Sequence, residues 1–163
     1  MSTRRKYMLF YIFALTAVAI DQISKIIIRA HMEVGESVPL NSFLQFTFYE
    51  NSGMAFSLFQ GYARWFGVIA VIVVIAVLYY RNKGELRGVM MEIGTGLFVG
   101  GAIGNAIDRF VFGKVTDFLD FRPSQGILNL ADISIHIGVM FIIADAVIQY
   151  VKERLIQSKS NSL

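Results

Sequence analysis

The stretch WFGVIAVIVVIAVLYY, Trp65 to Tyr80, carries no charge and has aromatic side chains at both ends. A helix needs about 20 mainly apolar residues to cross the hydrocarbon of a bilayer. Trp and Tyr favour the two interfaces. This run therefore reads as a membrane span, and working outward from it gives three more. One lies upstream, about 7–28, interrupted late by Asp21 and Lys25; two lie downstream, about 88–107 and 133–151. The 163-residue chain is 55% hydrophobic, above the usual share of a soluble domain. The expected architecture is a mainly α membrane protein: a four-helix transmembrane bundle in a single domain, 1–163. Its extracytoplasmic segments are about 30–62 and 110–132. Arg4, Arg5 and Lys6 stand before a first span that is long and has no small-residue cleavage site, which fits an uncleaved signal anchor.

Orientation follows from lysine and arginine. Arg4, Arg5, Lys6, Arg81, Lys83, Arg87, Lys152, Arg154 and Lys159 fall on one side, whereas only Arg64, Lys114 and Arg122 fall in the opposite loops. Positive loops stay inside, so both termini are expected in the cytoplasm. Asp21 then lies about 21 Å along the first helix at about 1.5 Å per residue, in the outer part of the bilayer. Asn105 and Arg109 close the third span at the same level. Asn51, Asp117, Asn129 and Asp132 belong to the outer segments or their edges, so the polar islands converge on the outer face.

The outer segments have structure of their own. Between Glu36 and Tyr49, Leu44, Phe46 and Phe48 alternate with Gln45, Thr47 and Tyr49, the period of a strand. This predicts a small sheet on the membrane surface, its apolar face towards lipid or a lipid-bearing ligand. In the third span Gly96, Gly100 and Gly104 recur every four residues with Gly94 and Gly101 beside them. That pattern reads as close helix packing.

The chemistry lies in carboxylates. Asp117 and Asp132 come from different segments. Two carboxyl groups in one site do not both ionise cheaply, so one keeps its proton while the other stays charged. Such a pair holds a water for attack and donates to a carbonyl oxygen, which suits amide hydrolysis. If Val115–Phe121 is extended, Asp117 shares a face with Val115, Leu119 and Phe121, and Asp120 lies opposite. Asp132 stands just before an apolar helix, where a cap and the helix dipole favour an anion. Spacing alone leaves open a plain helix cap for Asp132 and a solvated loop acid for Asp117. It also leaves open a mutually neutralising Asp21–Lys25 pair, four residues apart on one face, against a functional reading of an intramembrane charge. Arg109 either snorkels or serves the dyad. His136 reads as a packed side chain and Asp145 as a contact between helices.

Five ordered boxes decide among these readings: Asp21-Gln-Ile-Ser-Lys25, Asn51-Ser-Gly-Met-Ala-Phe56, Gly101-Ala-Ile-Gly-Asn-Ala-Ile-Asp-Arg109, Val115-Thr-Asp-Phe118 and Asn129-Leu-Ala-Asp132. Together they resemble the signature boxes of bacterial lipoprotein signal peptidase (signal peptidase II), over nearly the whole chain. The resemblance implies a multi-pass inner-membrane aspartyl endopeptidase with an extracytoplasmic β-cradle. Its substrate is a prolipoprotein carrying a diacylglyceryl group on the lipobox cysteine, cut just before that cysteine. Asp117 and Asp132 are implied as the catalytic dyad. Asp21, Lys25, Asn51, Gly53, Asn105, Arg109, Asn129 and Ala131 are implied to shape the site or bind substrate. No cofactor or metal is implied, and the expected partners are the lipidated substrate and membrane lipids, with the enzyme a monomer. The chain departs from the family pattern at Leu128 and Ile133, where phenylalanine and serine are common, and at Met54 and Ser57, where alanine and glycine are.

Other classes fit less well. A transporter puts its acids near the midplane and is built from repeats, whereas these islands sit at one surface and no repeat is visible. A serine–lysine peptidase could use Ser52 and Lys25, but Asp21 beside Lys25 keeps it charged and a poor base. Cysteine is absent, which excludes thiol nucleophiles and zinc–thiolate sites. His31 and His136 are the only histidines, and no HExxH motif occurs. The basic residues are too dispersed for nucleic acid.

Overall fold

Each apolar run becomes a helix longer than itself: α1 (Thr3–His31), α2 (Ala63–Asn82), α3 (Val89–Val111) and α4 (Leu130–Ser160). All four are long and apolar enough to cross a membrane, where a helix satisfies every backbone group internally. The computed structural model describes residues 3–53, 59–123 and 126–160. Met54, Ala55 and Phe56 of the second box, and Ser57, lie outside the described residues, as do the side chains of Arg4, Arg5, Lys6 and Lys159.

The glycines of α3 set the packing. A Cβ at Gly96 would stand 2.7 Å from the Phe10 carbonyl oxygen, one at Gly100 2.7 Å from Ala17 Cβ, and one at Gly104 2.5 Å from Asp21 Oδ2. Ascending α3 thus ascends α1, and the two helices run parallel. On another face Gly94 meets Gly138 and Phe141, while Gly101 meets Ala131 and Ile135, so α4 runs antiparallel. Small residues let the backbones approach this closely. Gly104 does more than pack: its missing side chain is the space that Asp21 occupies. Leu15, Ile23, Ile26, Ile72, Ile75, Met140 and Ile143 are exposed, an apolar surface that a bilayer would cover.

At the end of the bundle where α2 passes to α3, Arg81 is buried and pairs with Glu92, Nη2 to Oε2 at 2.9 Å. Its guanidinium also lies 4.2 Å from the Phe10 ring centroid and 5.2 Å from that of Tyr11. Arg81, counted from the sequence as a loop charge, is instead a tie between α1, α2 and α3. Asp145 is buried too, its carboxylate beside Gly88, which precedes the first turn of α3. Gly88 has φ 123°, a conformation open to glycine. The N-terminus of a helix is a favourable place for an acid.

At the opposite end β1 (Ser37–Pro39), β2 (Leu44–Asn51), β3 (Val115–Phe121) and β4 (Ile127–Leu128) form an antiparallel sheet in the order β1-β2-β3-β4. The expected alternation along β2 is broken. Phe46 faces Leu119, but Tyr49 faces Asp117: three steps on β2 match two on β3, a β-bulge. Without the extra residue Asn51 would point to the opposite face of β3; with it Asn51 shares the face of Asp117. Gln45, expected on the outside, is buried because its amide bonds the Asp120 carboxylate and its carbonyl takes the Arg122 guanidinium. Phe48, Phe118, Leu119 and Ile28 form a core, with Leu44, Phe46, Leu130 and Ile133 against it. The apolar face of the sheet therefore packs on the ends of α1 and α4. Val34, Val38, Leu40 and Phe43, around β1, are the exposed apolar residues of this region.

Candidate active site

Three chain segments meet at the C-terminal end of α3. β3 carries Asp117 on its inward face, 3% exposed, and turns Asp120 towards Gln45 and Thr47. α4 starts two residues before Asp132, so Asp132 lies inside its first turn rather than ahead of it. Asn129 is the residue before the helix. Its Oδ1 accepts the Asp132 N–H at 2.9 Å, and Asp132 Oδ2 accepts the Asn129 N–H at 3.2 Å. This reciprocal pairing is a capping box.

The same asparagine reaches the other acid: Asn129 Nδ2 donates to Asp117 Oδ1 at 2.6 Å. It also donates to Asn105 Oδ1 at 3.1 Å, and Asn105 Nδ2 donates to Asp132 Oδ1 at 2.8 Å. From β2, Asn51 Nδ2 donates to the remaining Asp117 oxygen at 3.1 Å. Gly53 N–H bonds Asn51 Oδ1 at 3.0 Å, fixing which end of that amide faces the acid. Asn129 and Asn105 thus link the two carboxylates expected to form a dyad, and Asn51 holds Asp117 from the other side.

Burial pushes the Asp117 carboxyl up to about 7, and the neighbouring Asp132 charge pushes in the same direction; hydrogen bonds from Asn129 and Asn51 and the charge of Lys25 act against them. A carboxyl so placed keeps a proton near neutrality and can donate it. Arg109 sits beside Asp132, Asp117 and Asp108 electrostatically. Its Nη1 donates to the Asn105 carbonyl at 3.3 Å, while its buried Nε has no partner among the described residues.

Asp21, Lys25, Asn129 and Ala131 are wholly buried. Lys25 Nζ lies 2.9 Å from Asp21 Oδ2 and 3.2 Å from Asp108 Oδ2, and donates to Asn105 Oδ1 at 2.9 Å. Asp21 and Lys25 therefore act from behind the dyad, with no surface for a substrate to touch. Asp108 is the residue that sequence reasoning passed over. Its carboxylate takes Lys25, Arg29 Nη1 at 3.6 Å, Gln22 Nε2 at 3.3 Å and the backbone N–H of Thr116 at 3.0 Å. The available signal was its spacing, three residues after Asn105 and one before Arg109 on an apolar helix, where any ionisable group invites a functional reading.

The serine–lysine arrangement is not formed. Ser52 Oγ bonds the Gln60 side chain and accepts from Gly61 N–H, while Lys25 is enclosed by acids and Asn105. His136 is exposed on α4. Among the described residues no group of three or more His, Cys, Asp or Glu is placed to hold a metal ion.

A family model described as signal peptidase (SPase) II matches residues 13–148. The lipoprotein signal peptidase of Gloeobacter violaceus is 42% identical over 132 residues, covering 80% of this chain and 76% of its own. That of Halalkalibacterium halodurans is 40% identical over 136 residues, covering 81% and 87%. A bacterial membrane enzyme solved by the in meso method at 2.3 Å superposes with a TM-score of 0.79 at 34% identity, over 85% of this chain and 87% of that one. A second, at 1.9 Å, gives 0.76 at 34% identity, over 84% and 91%.

Proposed function

The chain belongs to the signal peptidase II family, and from that premise we propose that Asp117 and Asp132 are the dyad with which it cuts. The protein is a multi-pass bacterial membrane peptidase that removes the signal peptide from prolipoproteins. The observation that carries the assignment is Asn129, which donates from its side chain to Asp117 and from its backbone to Asp132.

The two acids have different surroundings and take different roles. Asp132, at the start of α4 with Asn105 and Asn129 as donors, takes a proton from the attacking water. Asp117, whose carboxyl is raised to about 7, donates its proton to the scissile carbonyl oxygen. Water oxygen bonds to the carbonyl carbon to give a neutral gem-diol. Asp132 then gives its proton to the departing nitrogen as the C–N bond breaks, Asp117 recovers a proton from a gem-diol hydroxyl as the new carboxyl forms, and one proton again remains on the pair. Arg109, charged and beside both acids, stabilises the anionic dyad, and its unpartnered Nε N–H is available to substrate once the site opens. Asn51 and Gly53 hold the Asp117 side from β2, and Asn105, Asn129 and Ala131 hold the Asp132 side.

Both termini are cytoplasmic and the dyad faces the outer leaflet, a reading supported by the lysine and arginine asymmetry of the loops. One chain supplies both acids and the asparagines that join them, so the proposed chemistry needs no more than a monomer. The two acyl chains on the substrate cysteine lie in the bilayer beside the helices, adding affinity at about 0.8 kcal/mol per CH₂. They bring the scissile bond to the dyad without a deep side-chain pocket. The test incubates purified protein in detergent with diacylated and unacylated forms of one lipobox precursor. Cleavage of the diacylated form alone, just before cysteine, is expected; equal cleavage of both would overturn the lipid requirement.

A further inference from the structure

Each acid of the proposed dyad is preceded by a residue whose backbone N–H is held by a buried carboxylate. Thr116, before Asp117, donates its N–H to Asp108 Oδ2 at 3.0 Å. Ala131, before Asp132, donates its N–H to Asp21 Oδ1 at 2.9 Å. These carboxylates come from different helices, α3 and α1, and both close on Lys25 Nζ, at 3.2 and 2.9 Å. All three side chains are fully buried. Gln22 Nε2 spans the same two acids, at 3.1 Å from Asp21 and 3.3 Å from Asp108. Arg29 reinforces one arm through Thr116 Oγ1 at 2.9 Å.

A lone lysine–aspartate pair at i,i+4 would need none of this. Neutralising Asp21 would leave Lys25 indifferent to Asp108, and neither acid would have to hold a peptide of the site. Here one ammonium fixes two acceptors, and each acceptor holds the backbone N–H of the residue just before a dyad acid. Resting on the dyad assignment above, we propose that Lys25 is a positioning residue: it holds Asp21 and Asp108 together and so sets the separation of Asp117 and Asp132.

The consequence is readable in pH. Besides Lys25 on α1, the charged or titratable groups around Asp117 are Asp132 on α4, Arg109 on α3 and Tyr49 opposite it on β2. Acting through space alone, the Lys25 charge favours ionised Asp117, so removing it would move the alkaline limb of kcat to higher pH. If instead Lys25 holds the acids together, its removal parts them, weakens the push from Asp132 and moves the limb to lower pH. The sign separates the two roles.

The experiment uses the full chain in detergent with a diacylated precursor, and rates per mole of monodisperse protein. Lys25→Met should lower kcat about 100-fold, the cost of misplacing reacting groups by about 1 Å. KM should stay within about threefold and the alkaline limb should move down. Because Lys25→Met leaves two buried acids short of a cation and risks misfolding, the charge-balanced Lys25→Met/Asp21→Asn variant carries the test in parallel. It leaves Asp108 with Arg29, and it should show the same loss of kcat and the same downward limb. Asp21→Asn and Asp108→Asn together should lose no more than about threefold beyond the worse single variant, because both release one constraint. Lys152→Met, at an exposed site on α4, serves as the unchanged control. A limb that moves up in Lys25→Met, wild-type kcat in the balanced variant, or a change confined to KM overturns the proposal. Near-wild-type turnover in Asp117→Asn would instead overturn the dyad assignment itself.

Discussion

Charge is buried at both ends of this bundle, and the two ends treat it differently. At the end opposite the sheet Arg81 and Glu92 pair at 2.9 Å beneath the rings of Phe10 and Tyr11. One cation meets one anion there, and Asp145 lies apart against the start of α3, where the helix dipole favours an acid. At the sheet end four carboxylates (Asp21, Asp108, Asp117, Asp132) face three cations (Lys25, Arg29, Arg109). That end has one acid more than it has cations, and the Asp117 carboxyl, raised to about 7, is the one placed to hold a proton. Burial of charge by itself is thus a poor sign of catalysis. An imbalance held in place by a rigid frame is a better one, because strain at the site must be upheld by its surroundings.

The contrast breaks most visibly on activity. Asp117→Asn and Asp132→Asn should each lower cleavage by about 10³-fold or more, since the amide keeps the shape but cannot share the proton. A folded variant with near-wild-type turnover would remove that acid from the mechanism. Next in size is stability at the end opposite the sheet. Arg81→Met leaves Glu92 buried and unpaired, which costs about 3–5 kcal/mol, while kcat of the remaining folded enzyme stays at the wild-type value. Arg81→Met/Glu92→Met should recover most of that stability in a denaturation experiment. A large loss of kcat in the double variant would mean that this pair also serves the chemistry.

A smaller effect concerns pH and has opposite sign at the two functions of Asp117. The folded carboxyl, about 7, lies above its ordinary value of 3.8. The folded state therefore holds a proton that the unfolded state releases, so stability falls as pH rises from about 4 to about 7 and then levels off. Asp117→Asn, dead in catalysis, should melt higher than wild type at pH 8, with the gap closing near pH 4. Wild-type kcat should decline above pH 7 as the same proton leaves. The least effect belongs to Asp120→Asn. Asp120 points to the other face of β3, onto Gln45 and Thr47, so turnover should stay within about threefold. An equal collapse there would undo the argument from strand faces.

How far the sequence reached follows the range of the interactions. Hydropathy is local, so the four spans and their order could be read directly, and the glycines at four-residue spacing announced a packing face. Strand period put Asp117 and Asp120 on opposite faces of β3. What was hidden depends on partners far along the chain. Asp108 looked like one more polar residue beside Arg109, because Lys25, Arg29 and the Thr116 amide that engage it come from other elements. Glu92 gave no hint that it would bury Arg81. The bulge after Phe46 leaves no mark in hydrophobic alternation except its failure, so the turning of Asn51 onto the face of Asp117 could not be foreseen. Asp145 likewise found its neighbour at Gly88, across the bundle.

The capping box at Asn129 and Asp132 has a bearing on biosynthesis. The residues that start α4 are the ones that finish the site, and Asp21 reaches that helix through the Ala131 N–H, 110 positions along the chain. A ribosome must therefore deliver almost the whole polypeptide before both acids are anchored. On the proposed dyad the second acid comes only with the start of α4, so a chain cut before Asn129 should carry Asp117 without its partner and cleave nothing.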